Sequence, residues 1–197
     1  MNTRKTLFII ALSVGFVGCF AQLNSKQNST DHQSPYVDET SREIKALSEE
    51  EINGFLEGEG MGFAKPAELN GFPGPRHVLD LAHELELSDG QSERVQSTLT
   101  KMNGAARDLG AQIVEAERML NALFVDGTVT GDNMANLLEN IGELTSKVRL
   151  THLEAHLAMM EILTDTQVMK YNTLRGYSNA EAHDGAHNDA QHHGHQM

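Results

Sequence analysis

The 197-residue chain carries a formal charge of −13, with no Trp, three Tyr and seven Phe. Such an acidic balance argues against a protein that grips nucleic-acid phosphates or docks by charge on an anionic membrane. With so few aromatic residues the core must come from Leu, Ile, Val, Met and Ala, a mixture that favours helices over sheets.

At the N-terminus Arg4 and Lys5 precede an apolar run, Leu7 to Val17, that is too short to span a bilayer comfortably. Gly18, Cys19, Phe20 and Ala21 follow, and residues 1–21 read as an export signal rather than a structural helix. Two processing routes fit. Cleavage after Ala21 uses Cys19 and Ala21 as the small residues. Cleavage before Cys19 uses Phe16-Val17-Gly18-Cys19 as a lipobox and leaves a lipidated Cys19, although Phe16 stands where such motifs usually carry Leu. The single Cys removes any intramolecular disulfide and any Cys-based metal site, so ligands must be His, Met, Asp or Glu.

Residues 22–46 are polar and aperiodic and read as a flexible linker. Residues 47–75 open with a short helix. Ser48 caps it, Glu51 stands at the reciprocal capping-box position, and Leu47 can staple onto Ile52. From Gly58 to Pro75 five Gly and three Pro give an irregular segment with turns. Residues 76–177 then form the helical domain. Val78, Leu81, Ala82 and Leu85 share one face and predict a helix from Arg76 to Leu87.

The strongest pattern follows. Val95, Leu99, Met102, Ala106, Leu109, Ile113, Ala116, Leu120 and Leu123 alternate in steps of four and three, as in a coiled-coil seam. The run stops at Asp126-Gly127. Thr130 caps a second helix with a matching seam, from Met134 through Ile141, Val148 and Ala155 to Ile162. Matching seams and a short connection predict an all-α protein built on an antiparallel hairpin of residues 89–125 and 131–163, with short flanking helices and disordered termini. A last helix begins at Thr164 and runs to about Tyr171. The tail, 178–197, is hydrophilic and holds His183, His187, His192, His193 and His195. Flexible imidazoles of this kind bind Zn²⁺, Ni²⁺ or Cu²⁺ without a fold.

Two helix starts are alike: Leu87-Ser88-Asp89-Gly90-Gln91 and Leu163-Thr164-Asp165-Thr166-Gln167. In each the hydroxyl caps the helix and the Gln three residues on reaches back to the cap's own N–H. Leu163 can also staple onto Val168, whereas Ser92 holds that place in the first copy. Two ordinary capping boxes account for each motif alone. Taken together, on an exported all-helical hairpin, the pair resembles the Leu-Thr-x-x-Gln motifs of the Spy/CpxP family of periplasmic stress proteins, which includes periplasmic heavy-metal sensors and zinc-resistance-associated proteins. Ser88 departs from Thr in the first copy. The segments PGPRHVLDLAHELELSDGQ and LTHLEAHLAMMEILTDTQVMKYNTLRGY carry the likeness to the heavy-metal-sensor branch, over roughly residues 58–177. The resemblance implies a small helical bundle that often forms a homodimer in the periplasm. It also implies one of three activities: ATP-independent holding of unfolded clients, damping of an envelope-stress kinase, or binding of metal ions to control a regulator.

Among the side chains, His152 and His156 lie four apart on one helix face, where two imidazoles can chelate one ion. Their offset from Val148 predicts boundary positions, partly exposed, facing a groove. The competing reading is a pair of ordinary helix-edge residues. In metal-sensing relatives a His-x-x-x-His or His-x-x-x-Met pair supplies such ligands. His77, after Pro75, is a better third ligand than His83; Met102 and Glu117 lie on or beside the seam. Met119, Met159 and Met160 offer thioether sulfur to a soft ion such as Cu(I), or simply fill the core. No nucleophile elbow or phosphate-binding loop is present, so no catalytic activity is expected. The expected function is binding of a metal ion (Zn, Ni, Cu or Co) linked to a stress response, through a membrane-bound regulator as partner. A holdase chaperone or a passive metal buffer are the alternatives. Acidic residues outnumber basic ones across 76–177, which weighs against the basic cradle of the family's chaperones.

Overall fold

The computed structural model describes residues 34–177. The export signal with Cys19, most of the polar segment and the tail with its five histidines lie outside the described residues. Within them the chain is helical, without a strand. A 3-10 turn, Val37–Ser41, leads to α1 (Glu49–Glu57), α2 (Lys65–Glu68) and α3 (Pro75–Asp80). Two long helices follow, α4 (Asp89–Val125) and α5 (Gly131–Ile162), and then α6 (Asp165–Leu174). No helix among the described residues is long and apolar enough to cross a membrane.

Capping chemistry sets most boundaries. Ser48, Ser88, Thr130 and Thr164 each accept the N–H of the residue three ahead. Glu51, Gln91, Asn133 and Gln167 return a side-chain acceptor to the cap's own N–H. Each box satisfies two otherwise orphaned donors. The expected staple partners fall in common apolar clusters, Leu47 and Ile52 in one, Leu163 and Val168 in another. Gly58 ends α1 at φ 67°, a left-handed conformation that glycine adopts without a Cβ clash.

The long helices pack together through Ile113 of α4 with Leu144 and Val148 of α5, and Leu109 packs half-buried against them. A second cluster gathers Val78, Leu85, Val95, Met159, Ile162, Leu163, Val168 and Tyr171 where α3 and α6 meet the long helices. Full burial of each Val- to Phe-sized side chain contributes about 1.5–3 kcal/mol. α1 lies against α4, and Gly110 makes the approach possible. A Cβ there would stand 2.1 Å from the Phe55 carbonyl oxygen.

Three boundaries differ from the sequence expectation. The helix expected from Arg76 to Leu87 ends at Asp80, and Leu81–Glu86 form turns, with Glu86 at φ 54°. This departure lets Leu85 sink into the core at 1% exposure while its carbonyl accepts from Gln167 Nε2 (3.1 Å) instead of from a further helical turn. Residues 42–46, expected to belong to a flexible linker, are docked: Ile44 is fully buried with Leu47 against Val114 of α4. α6 runs on to Leu174, three residues past Tyr171.

Candidate functional site

The segment between α1 and α3 folds over one face of α5. That covering determines the surroundings of the histidine pair. Phe63 stacks on the His152 ring, centroids 6.1 Å apart and planes 15° from parallel. The Phe72 carbonyl accepts a hydrogen bond from His156 Nδ1 (2.8 Å). His152 is only 3% exposed and His156 7%. Both were expected at a partly exposed boundary; both are buried, because the Gly/Pro-rich segment supplies a layer that the α4–α5 seam alone lacks.

Beneath this covering lies a cavity of about 320 Å³, lined by His152, His156, His77 and Met102 together with Met61, Glu68 and Asn103. Two polar atoms of its lining residues, His152 Nε2 and Asn103 Oδ1, are buried without a hydrogen-bond partner. Orphaned buried polar atoms are rare and point to an occupant. Burial holds the His152 imidazole below its ordinary pKa, the nearby His156 adds to the effect, and the Glu59 backbone opposes it. His152 is therefore neutral at pH 7 and can offer a lone pair.

On His156 the bond to Phe72 places the proton on Nδ1 and leaves Nε2 as the free acceptor. Gly74 keeps space open in front of it. A Cβ on Gly74 would lie 3.2 Å from His156 Nε2 and 3.3 Å from Glu68 Oε2. Glu68 is engaged through its other oxygen. Oε1 accepts from the Tyr171 hydroxyl (2.8 Å) and the Tyr177 hydroxyl (3.0 Å) and pairs with Arg175 (3.3 Å). Desolvation, first, and the Glu68 contact push the Tyr171 hydroxyl well above its usual range, so it stays protonated and donates.

The remaining expected ligands are not assembled here. His77 reaches the cavity wall, but its Nδ1 lies 3.3 Å from Asp80 Oδ2. Met159, expected as a soft ligand, is fully buried in the apolar cluster with Val78 and Tyr171, where it packs as a core side chain. Met119 and Met160 are exposed, as is His83. Glu117 stands apart on α4, its carboxyl raised by partial burial. Among the described residues no three His, Cys, Asp or Glu side chains converge as a metal-binding group. Sequence reasoning missed Met61, Glu68 and Asn103. The GEGMG run, set aside as a turn, was the one signal that could have drawn attention to Met61.

Comparison with protein-family models gave no match, and comparisons with curated proteins and with solved structures gave none either.

Proposed function

We propose that this is an exported periplasmic metal-binding protein of the Spy/CpxP type, with no catalytic activity. Its long helices form an antiparallel hairpin, and it binds a divalent or cuprous ion between His152 and His156. Ion binding biases the packing of residues 58–75 against α5, and this change is passed to a membrane-bound regulator. The observation that carries the reading is the buried, unpartnered Nε2 of His152, a side chain that lines the same cavity as His156. A ligand fixed between packed elements couples binding to folding, whereas the tail histidines, bound alone, would act as a buffer.

The test is thermal melting with and without metal, on the full-length chain and on a version whose five tail histidines are replaced by Asn. The metal-induced rise in Tm should persist without the tail histidines. It should disappear in His152→Phe, which keeps a ring against Phe63 but removes the nitrogen. A rise that vanishes with the tail histidines instead returns the protein to a buffer.

One observation favours a second reading, a holdase for unfolded clients. Around the α4–α5 connection Met119, Phe124, Val125 and Leu138 are each at least half exposed. Apolar side chains held out together offer a landing surface for a client or for a second copy of the chain. Suppression of aggregation of a reduced, unfolded client, lost in Phe124→Ser/Leu138→Ser, separates this reading from the first.

A further inference from the structure

We propose that the open face of the α4–α5 pair is where two copies of the chain meet, with α4 of each copy lying on α5 of the other. The proposal is independent of what the histidine cavity holds.

The segment from α1 to α3 covers one side of the long helices. On another side a groove runs between them, made of two adjoining hollows of about 280 Å³ each that are lined by residues of α4 and α5 alone. Thr98 and Lys101 belong to both hollows, so the groove is continuous. Its floor is built of small side chains, Thr98 and Ala105 of α4 with Thr151, Ala155 and Ala158 of α5, and small side chains let a further helix come close. Thr98, Ala105, Gln112 and Met119 follow one another at intervals of seven along α4, so the same line runs on to the half-exposed Met119. From Arg94 to Met119 this face is about 38 Å long and two helices, about 20 Å, wide. The product, about 760 Å², is close to the roughly 800 Å² that each partner buries in a stable interface.

The charges on the two walls point to what covers the face. Arg94 and Lys101 stand on its α4 wall, Glu154 and Glu161 on its α5 wall. All four are exposed, and none forms an ion pair among the described residues. Arg94 reaches only the Glu161 backbone carbonyl, at 3.5 Å. Elsewhere the chain pairs such cations: Arg107 with Glu57, Arg118 with Glu43 and Glu115, Lys147 with Glu143, Lys170 with Glu86. The groove holds its opposite charges apart and leaves them for an incoming surface.

A second copy brings the matching pattern. A two-fold axis across the helices would lay α4 on α4 and cation on cation. An axis along the helices lays α4 of each copy on α5 of the other. Lys101 shares one level of the groove with Glu154, and Arg94 shares another with Glu161. Rotation about that axis keeps every residue at its level, so cation meets carboxylate at both levels, and by symmetry twice at each. Opposite charges set this register, and like charges disfavour the other arrangement.

Sedimentation equilibrium of the full-length chain in EDTA, which keeps metal from bridging the tail histidines, should show a dimer that weakens as salt is raised. Lys101→Glu and Glu154→Lys each set like charges against one another on both sides of the two-fold axis, so each should weaken self-association by at least about tenfold. Mixed in equal amounts, the two variants should recover the parent's association, because in a mixed pair every charge again faces its opposite. Circular dichroism of both should match the parent, since both positions are exposed. Were one to lose helix, Arg94→Glu with Glu161→Arg in its partner makes the same exchange at the other level. A parent that stays monomeric at every concentration overturns the proposal. So does a dimer that neither substitution weakens, which puts the contact elsewhere, and so does a mixture that stays as weak as its components.

Discussion

The side-chain amides of Gln91 and Gln167 exchange hydrogen bonds: Gln91 Nε2 donates to Gln167 Oε1 (2.8 Å) and Gln167 Nε2 donates back to Gln91 Oε1 (3.1 Å). Each oxygen also accepts the N–H of its own helix cap, Ser88 or Thr164. Each nitrogen reaches a distant carbonyl as well, Ile162 for Gln91 and Leu85 for Gln167. Two local capping boxes are thereby joined, fixing the start of α4 to the end of α5 and the start of α6. Gln91→Glu removes the donor while keeping the shape, and leaves the Ile162 carbonyl and Gln167 Oε1 short of a partner. We expect a loss of about 1–3 kcal/mol in urea unfolding. A double-mutant cycle with Gln167→Glu should show a coupling above about 0.5 kcal/mol. Additive losses would mean that the two caps act separately.

Gly110→Ala and Gly104→Ala should move stability in opposite directions, though both exchange glycine for a better helix former in α4. At Gly110 the new methyl meets backbone, the Phe55 carbonyl, and overpacking that cannot relax costs about 1–3 kcal/mol or more. At Gly104, as at Gly142 in α5, nothing lies within 4 Å, so Ala should stabilise by about 0.5–1 kcal/mol. Urea midpoints of the three variants check the contrast. A neutral Gly110→Ala would mean that α1 does not sit against α4.

Ile113 is 2% exposed in the cluster it forms with Leu144 and Val148. Ile113→Asp strands a carboxylate there and should cost about 3 kcal/mol or more. The thermal melt followed by circular dichroism should shift strongly, and a variant melting like the parent would refute the packing of α4 on α5.

Acid should weaken the protein through His152. Its folded pKa lies below the ordinary 6.5, so the folded state binds a proton less readily than the unfolded chain. The stability tied to this residue is complete above about 6.5 and is lost as pH falls below it. Tm measured from pH 8 to pH 5 should therefore decline in the parent more steeply than in His152→Phe. Equal slopes would mean that the imidazole is not buried as described.

How much of this was legible in the sequence depended on range. Ser48, Ser88, Thr130 and Thr164 signal their helix starts through bonds to residues three away, so the starts of α1, α4, α5 and α6 could be read locally. The burial of His152 and His156 could not. It depends on Phe63 and Phe72, which lie in a segment without periodicity and more than eighty residues earlier in the chain. The same holds for Ile44, polar in its local setting but docked on Val114, and for the break after Asp80, where Leu85 answers to Gln167 rather than to its own helix. Met159, which the sequence left open between thioether ligand and core filler, is made core by the approach of α3 and α6.

The coverings that bury the histidines also stop short. α4 has no buried residue beyond Ala116 and α5 none before Leu144, so the stretch around the connection has only two helices sharing their half-covered sides. Amide protection should accordingly be graded along each long helix. Exchange near Phe124 and Leu138 should proceed through frequent local openings, and amides near Val95 and Met159 should wait for rarer, near-global unfolding. Such a molecule can flare at one end while its histidine-lined cavity keeps its shape at the other.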